Sequence, residues 1–137
     1  YGHGSILLKL RKDGEKLKAD EVWKSKVLRN KFQSCILYEG HLYTSDEQGL
    51  KCVEFRSGQE KWHIRRLKHG TVALAEGHLY FLSEGGQLQI IPASPEQAEP
   101  LTDVSLLQGR CWTVPVLYRG RIYARNTDTV ACFDLTP

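Results

Sequence analysis

The 137-residue chain carries 19 Lys and Arg against 16 Asp and Glu, a formal net charge of +3, with 41% hydrophobic and 26% charged residues. These are globular rather than disordered proportions. No apolar run approaches 18 residues, so no membrane-spanning segment is read, and the two signs of charge are interleaved, which speaks for solvated faces rather than a nucleic-acid surface.

Along the chain, Tyr1-Gly2-His3-Gly4 has no basic stretch leading into an apolar one, so no secretory leader is expected there. With no initiating Met, the chain is expected to be processed, cropped or a fragment. Two strands are predicted near 4–11 and 18–26, joined through Lys12-Asp13-Gly14-Glu15-Lys16 and carrying Trp23. Cys35-Ile36-Leu37-Tyr38 is a short apolar run closed by Glu39-Gly40, a tight-turn signal. His41 to Ser45 resumes extended, Asp46-Glu47-Gln48-Gly49 turns again, and Leu50 to Phe55 is β-rich. Arg56-Ser57-Gly58 then leads into a fourth strand ending near Trp62-His63-Ile64. The basic knot Arg65-Arg66-Leu67-Lys68-His69 follows and is read as a solvated strand end.

The pattern then repeats. Glu39-Gly40-His41-Leu42-Tyr43 recurs as Glu76-Gly77-His78-Leu79-Tyr80 and, more loosely, as Arg119-Gly120-Arg121-Ile122-Tyr123, with glycine spacings of 37 and 43 residues. Trp23 and Trp62 lie 39 residues apart. Turn signals recur at Ser83-Glu84-Gly85-Gly86 and Asn126-Thr127-Asp128, and Pro92 to Pro100 reads as an irregular outer connection. No window sustains a 3.6-residue apolar stripe, so few helices are expected. Short hairpin strands in units of about 40 residues match the size of a β-propeller blade. The expected fold is all-β, one partial propeller over 1–137, with antiparallel four-stranded blades near 33–65 and 70–106 and partial ones near 4–26 and 111–135. That makes about three and a quarter blades. Propellers close with about four to eight, so the chain is expected to start and end inside a blade.

Candidate chemistry is sparse. Cys35, Cys52, Cys111 and Cys132 have no C-x-x-C spacing and read as buried free thiols. His41 and His78 occupy one repeat position that Arg121 fills in the third copy, which marks a turn-flanking site rather than a catalytic one. Trp112 is read as a core or inter-blade tryptophan, and Gly85-Gly86 as a hairpin turn rather than a phosphate cradle. No catalytic, cofactor or metal residue is assigned. The positions expected to matter are structural: Trp23, Gly40, Tyr43, Gly58, Trp62, Gly77, Tyr80, Gly120 and Tyr123.

The stretch Cys52-Val53-Glu54-Phe55-Arg56-Ser57-Gly58-Gln59-Glu60-Lys61-Trp62, with the three Gly-x-h-Tyr units, resembles the tryptophan-docking motif of pyrroloquinoline-quinone-like (quinoprotein alcohol dehydrogenase-like) propellers. Glu54 stands for that motif's Asp and Ser57 for its Thr, while Ala131-Cys132-Phe133-Asp134-Leu135 keeps the Asp. The copy at 86–101 lacks the Asp, the Thr-Gly pair and the Trp. The resemblance implies that Trp23 and Trp62 pack between neighbouring blades. The family's dehydrogenases need a catalytic Asp, a calcium or lanthanide site and often adjacent cysteines, and no such set is marked here. The character is nearer its non-enzymatic members, such as the outer-membrane assembly lipoprotein BamB. The expected role is therefore a non-catalytic interaction or scaffold segment of an exported, periplasmic bacterial protein. The remaining blades or another protein would be its partners, with self-association through open blade edges. The rival is a fragment of a quinone-dependent dehydrogenase whose site residues lie in other blades.

Overall fold

A computed structural model describes residues 3–31, 33–96 and 99–136. Tyr1 and Gly2 of the N-terminal segment, and 97 and 98 of the Pro-rich connection, lie outside the described residues. Among the described residues, thirteen strands form four antiparallel sheets, with a single 3₁₀ turn at Arg65–Leu67. The first sheet is the hairpin β1 (Ser5–Asp13) and β2 (Lys16–Ser25). The second runs in order through β3 (Ile36–Tyr38), β4 (His41–Asp46), β5 (Gly49–Glu54) and β6 (Glu60–Ile64). The third repeats this meander with β7 (Gly70–Ala75), β8 (His78–Ser83), β9 (Gln87–Pro92) and β10 (Thr102–Ser105). The last has three strands, β11 (Val116–Tyr118), β12 (Arg121–Arg125) and β13 (Val130–Asp134). The architecture is that of a partial propeller.

Each recurring sequence feature performs the same local task. Glu39-Gly40, Glu76-Gly77 and Arg119-Gly120 are the two-residue loops of β3–β4, β7–β8 and β11–β12. Both residues of every pair have positive φ (46 and 76, 48 and 72, 48 and 71 degrees), the requirement of a type I′ turn. Glycine meets it without strain, whereas Glu or Arg at the first position does so at a cost. At the opposite ends of the strands, one short polar side chain per sheet holds the next turn. Asp46 Oδ1 accepts from the Gln48 N–H at 2.7 Å, Ser83 Oγ from Gln87 N–H at 3.0 Å, and Asn126 Oδ1 from Asp128 and Thr129 N–H at 2.8 and 2.6 Å.

Sheets stack face to face, and the core is what lies between them. Tyr43, Cys52 and Trp62 project from the second sheet onto Val72, Leu79, Phe81 and Ile91 of the third. Leu82 of the third sheet meets Cys111, Ala124 and Phe133. The outer faces at the two ends of the stack are apolar too: Ile6, Leu8 and Leu10 on the first hairpin, and Val116, Tyr118 and Val130 on the last sheet, are exposed.

Candidate functional site: a loop-lined groove

The β4–β5 and β8–β9 turns and the connections between successive sheets gather on one face. Between them lies a groove of about 890 Å³. Glu47 comes from the β4–β5 turn, Arg66, Lys68 and His69 from the link between the second and third sheets, Glu84 and Gly85 from the β8–β9 turn, and Gly109 and Arg110 from the link to the last sheet. Leu67 and Phe81, both buried, lie under this rim, and Gln87 and Gln89 of β9 form a wall. Two consecutive sheets and the links that follow each of them thus contribute to one concavity, which no single repeat could build.

The rim is charged, and much of its charge is internally matched. Glu47 pairs with Lys31 at 3.6 Å, and Arg66 with Glu99 at 3.0 Å. Glu84 accepts from Trp112 Nε1–H at 2.7 Å and lies 3.9 Å from His69. Arg110 stacks over the Trp112 ring, 4.5 Å from its centroid. The opposite nitrogen of His69 sits 2.6 Å from the Gln33 amide, which also donates to the Gly70 carbonyl. Lys68 holds φ 54 and ψ −149 degrees, a region nearly reserved for glycine. Asp103 receives the side-chain amides of Gln87 and Gln89 at 2.6 and 2.7 Å.

Beneath the β4–β5 turn lies a buried ion pair. Lys51 Nζ approaches Asp46 Oδ2 at 2.8 Å and donates to the Val27 carbonyl at 2.8 Å, with Glu60 3.6 Å away. Burial by itself raises the Asp46 pKa, but the Lys51 hydrogen bond, the Gln48 N–H and the Lys51 charge outweigh it and hold the carboxyl below the usual range. Neighbouring His63 is shifted down, chiefly by burial, although its ring nitrogen meets the Gln48 carbonyl at 3.1 Å. The pair fastens the segment after the first hairpin to the second sheet and leaves both charges out of reach of solvent. It is a structural device, not a reactive one.

The nine repeat positions fall as follows. Trp23 Nε1–H donates to the Phe55 carbonyl at 2.9 Å, and its ring covers Gly58, where an added Cβ would stand 2.9 Å from Trp23 Cδ2. Trp62 Nε1–H donates to the Ser94 carbonyl, also at 2.9 Å, and its ring tilts against Tyr43 at 5.9 Å. Both tryptophans reach 32 residues ahead into the next sheet. The corresponding Leu101 is exposed. Gly40, Gly77 and Gly120 occupy the I′ turns described above. Tyr43 is fully buried beside Cys52, whereas Tyr80 and Tyr123 are half-buried. Burial pushes the Tyr43 phenol up, and the Cys52 thiol up to about 11. None of the nine lines the groove.

Three expectations from sequence need correcting. Trp112 is 46% exposed on the rim rather than packed in a core, because its N–H serves Glu84 and its ring face serves Arg110. Cys35 and Cys132 are exposed, and only Cys52 and Cys111 are buried; all four are free. Cys35 precedes β3, and Cys132 sits on the uncovered face of the last sheet, so an apolar neighbourhood in sequence did not become burial. The basic knot is only partly a solvated end, since Leu67 is buried and Arg66, Lys68 and His69 line the groove. The groove was missed because its residues come from non-equivalent stretches of two repeats and the links that follow them. The short-period basic cluster at 65–69 was the only signal that pointed towards it. Among the described residues no three His, Cys, Asp or Glu side chains converge as a metal site would need, and no helix is long and apolar enough to cross a membrane.

Several solved structures share this fold. The structure of BamB from Moraxella catarrhalis superposes with a TM-score of 0.65 at 13% identity, covering 90% of this chain and 41% of that one. The shared fold is that of a partial β-propeller. Quinohemoprotein alcohol dehydrogenase from Comamonas testosteroni matches with a TM-score of 0.60 at 16% identity, over 79% of this chain and 20% of that one. The computationally designed Ika4 protein matches with a TM-score of 0.61 at 13% identity, over 96% of this chain and 86% of that one. The chain thus spans about two fifths of BamB and a fifth of the dehydrogenase. No protein-family model and no curated protein matches the sequence. At these identities the likeness concerns the fold alone.

Proposed function

We propose that this chain is a non-catalytic propeller segment that serves as an interaction or scaffold module of an exported, periplasmic bacterial protein. The observation that carries the reading is the groove: turns of two successive sheets and the links that follow them form a charged concavity backed by strands, the usual way a rigid scaffold presents a recognition surface. In this reading Trp23, Gly58 and Trp62 lock neighbouring blades together, while Gly40, Gly77, Gly120, Tyr43, Tyr80 and Tyr123 keep each blade in register. The blades take in roughly 4–26, 33–65, 70–106 and 111–135. The apolar faces of Ile6, Leu8 and Leu10 and of Val116, Tyr118 and Val130 fit further blades of a longer protein, another protein, or a second copy. No cofactor enters this role.

The rival is a piece of a quinone-dependent dehydrogenase, since one fold neighbour is such an enzyme. The test is to supply the protein containing this chain with pyrroloquinoline quinone and calcium and to follow reduction of an artificial electron acceptor by alcohols and sugars. No reduction above a quinone-only control is expected. Turnover that requires the protein sinks the scaffold reading.

A further inference from the structure

We infer that the groove is a docking site for a short acidic peptide segment of a partner protein, with Lys68 and Arg110 receiving its carboxylates. This rests on the interaction-module reading and gives it a ligand class. The charges on the rim decide the sign. Glu47 is paired with Lys31 and Arg66 with Glu99, while Glu84 keeps its charge but is held by the Trp112 N–H, so the rim is left with a net excess of one positive charge. Among the described residues, Lys68 and Arg110 make no ion pair, so the groove offers two uncommitted cations on opposite links. Arg110 lies over the Trp112 ring, 4.5 Å from its centroid, an attraction that favours this placement of the guanidinium before any ligand arrives.

The backbone at Lys68 adds a second argument. Holding a non-glycine residue at φ 54 and ψ −149 degrees costs about 1–3 kcal/mol. Glycine would relieve that cost and remove the cation. The floor favours a peptide over a simple anion. Leu67 and Phe81 give an apolar base against which apolar side chains of a peptide can rest. The volume suits a few residues rather than a folded domain. A nucleic-acid strand fits less well, since a phosphate backbone needs a longer run of cations than Lys68 and Arg110 supply.

The test uses the whole chain, isotope-labelled, titrated with the capped peptide acetyl-Asp-Leu-Asp-Leu-Asp-amide and observed by amide NMR. Saturable shifts are expected at His69, Gly85, Gln87 and Gly109, weakening as salt is raised. The matching Lys-Leu peptide should not bind. Lys68→Gly should raise the unfolding midpoint yet weaken peptide binding about tenfold, and Lys68→Gly/Arg110→Ala should weaken it further. A fold-stabilised variant that loses binding separates recognition from folding. No saturation, shifts elsewhere on the molecule, equal binding by the double variant, or equally tight binding of inorganic phosphate each overturns the assignment. Acceptor reduction in the quinone assay would overturn the scaffold reading itself. Failed titration without acceptor reduction removes only the peptide.

Discussion

Replacing Trp62 by Phe keeps an aromatic ring between the second and third sheets but deletes the N–H that reaches the Ser94 carbonyl at 2.9 Å. That hydrogen bond contributes about 1 kcal/mol. Trp62 is only 5% exposed, so the missing second ring also forfeits roughly 40 Å² of apolar burial, about 1 kcal/mol at 25 cal/mol per Å². Imperfect closure over the vacated space adds a little more, for a total of about 2–3 kcal/mol. In urea this corresponds to a fall in midpoint of roughly 1–2 M at an ordinary slope. Trp23→Phe removes the same kind of bond from a half-buried ring and should cost about half as much. Trp112→Phe, on the exposed rim, should cost under about 0.5 kcal/mol. The assay is urea unfolding followed by far-ultraviolet circular dichroism, with the three variants compared at one protein concentration. If Trp62→Phe costs no more than Trp112→Phe, the tryptophans do not hold the sheets together, and the reasoning from the docking motif fails.

Lys51→Met leaves the Asp46 carboxylate buried without its partner, and should destabilise by about 3–5 kcal/mol in the same unfolding experiment. Glu39→Asn and Glu76→Asn place a residue tolerant of positive φ in the I′ turns, and each should raise the thermal midpoint by the equivalent of about 0.5–1 kcal/mol. The carboxyls of Asp46, Glu54 and Asp134 all lie below their ordinary values in the fold. For Glu54, the Ser57 and Arg56 groups that hydrogen-bond to it bring the value down to about 2. Depressed folded-state values mean that this stability is present above the unfolded carboxylate range near pH 4 and is lost as pH falls towards 2. The urea midpoint should therefore decline gently below about pH 6.5, where the unfolded chain protonates His63 more readily than the fold does, and drop steeply below 4. A midpoint that rises on acidification would contradict the assignment of these carboxylates as native-state acceptors.

The repeat was legible because it is written in local chemistry. A Gly that must take positive φ, a Leu-Tyr or Ile-Tyr pair two residues into the strand that follows, and a polar residue at each turn recur wherever the same hairpin recurs, so period and strand order could be read without coordinates. Even a degenerate copy such as Arg119-Gly120-Arg121-Ile122-Tyr123 kept the glycine that the turn needs. Docking was partly legible for the same reason: Trp23 and Trp62 reach acceptors at one fixed separation because the interval is set by blade geometry.

Burial and convergence are different in kind. Cys52 and Cys132 occupy equivalent strand positions opposite Tyr43 and Tyr123, yet one is covered by the next sheet and the other is not. Nothing in either local sequence differs enough to say so. Lys51 reads as an exposed strand residue until Asp46 and the Val27 carbonyl are seen to close around it. The groove brings Lys68 and Arg110, 42 residues apart, to one rim, because the third sheet stands between the links that carry them. By itself the sequence determined the strands, their turns and the period, since backbone conformation and alternation are properties of neighbouring residues. The tertiary structure alone decided which faces are covered and which charges meet, because those depend on how whole sheets stack.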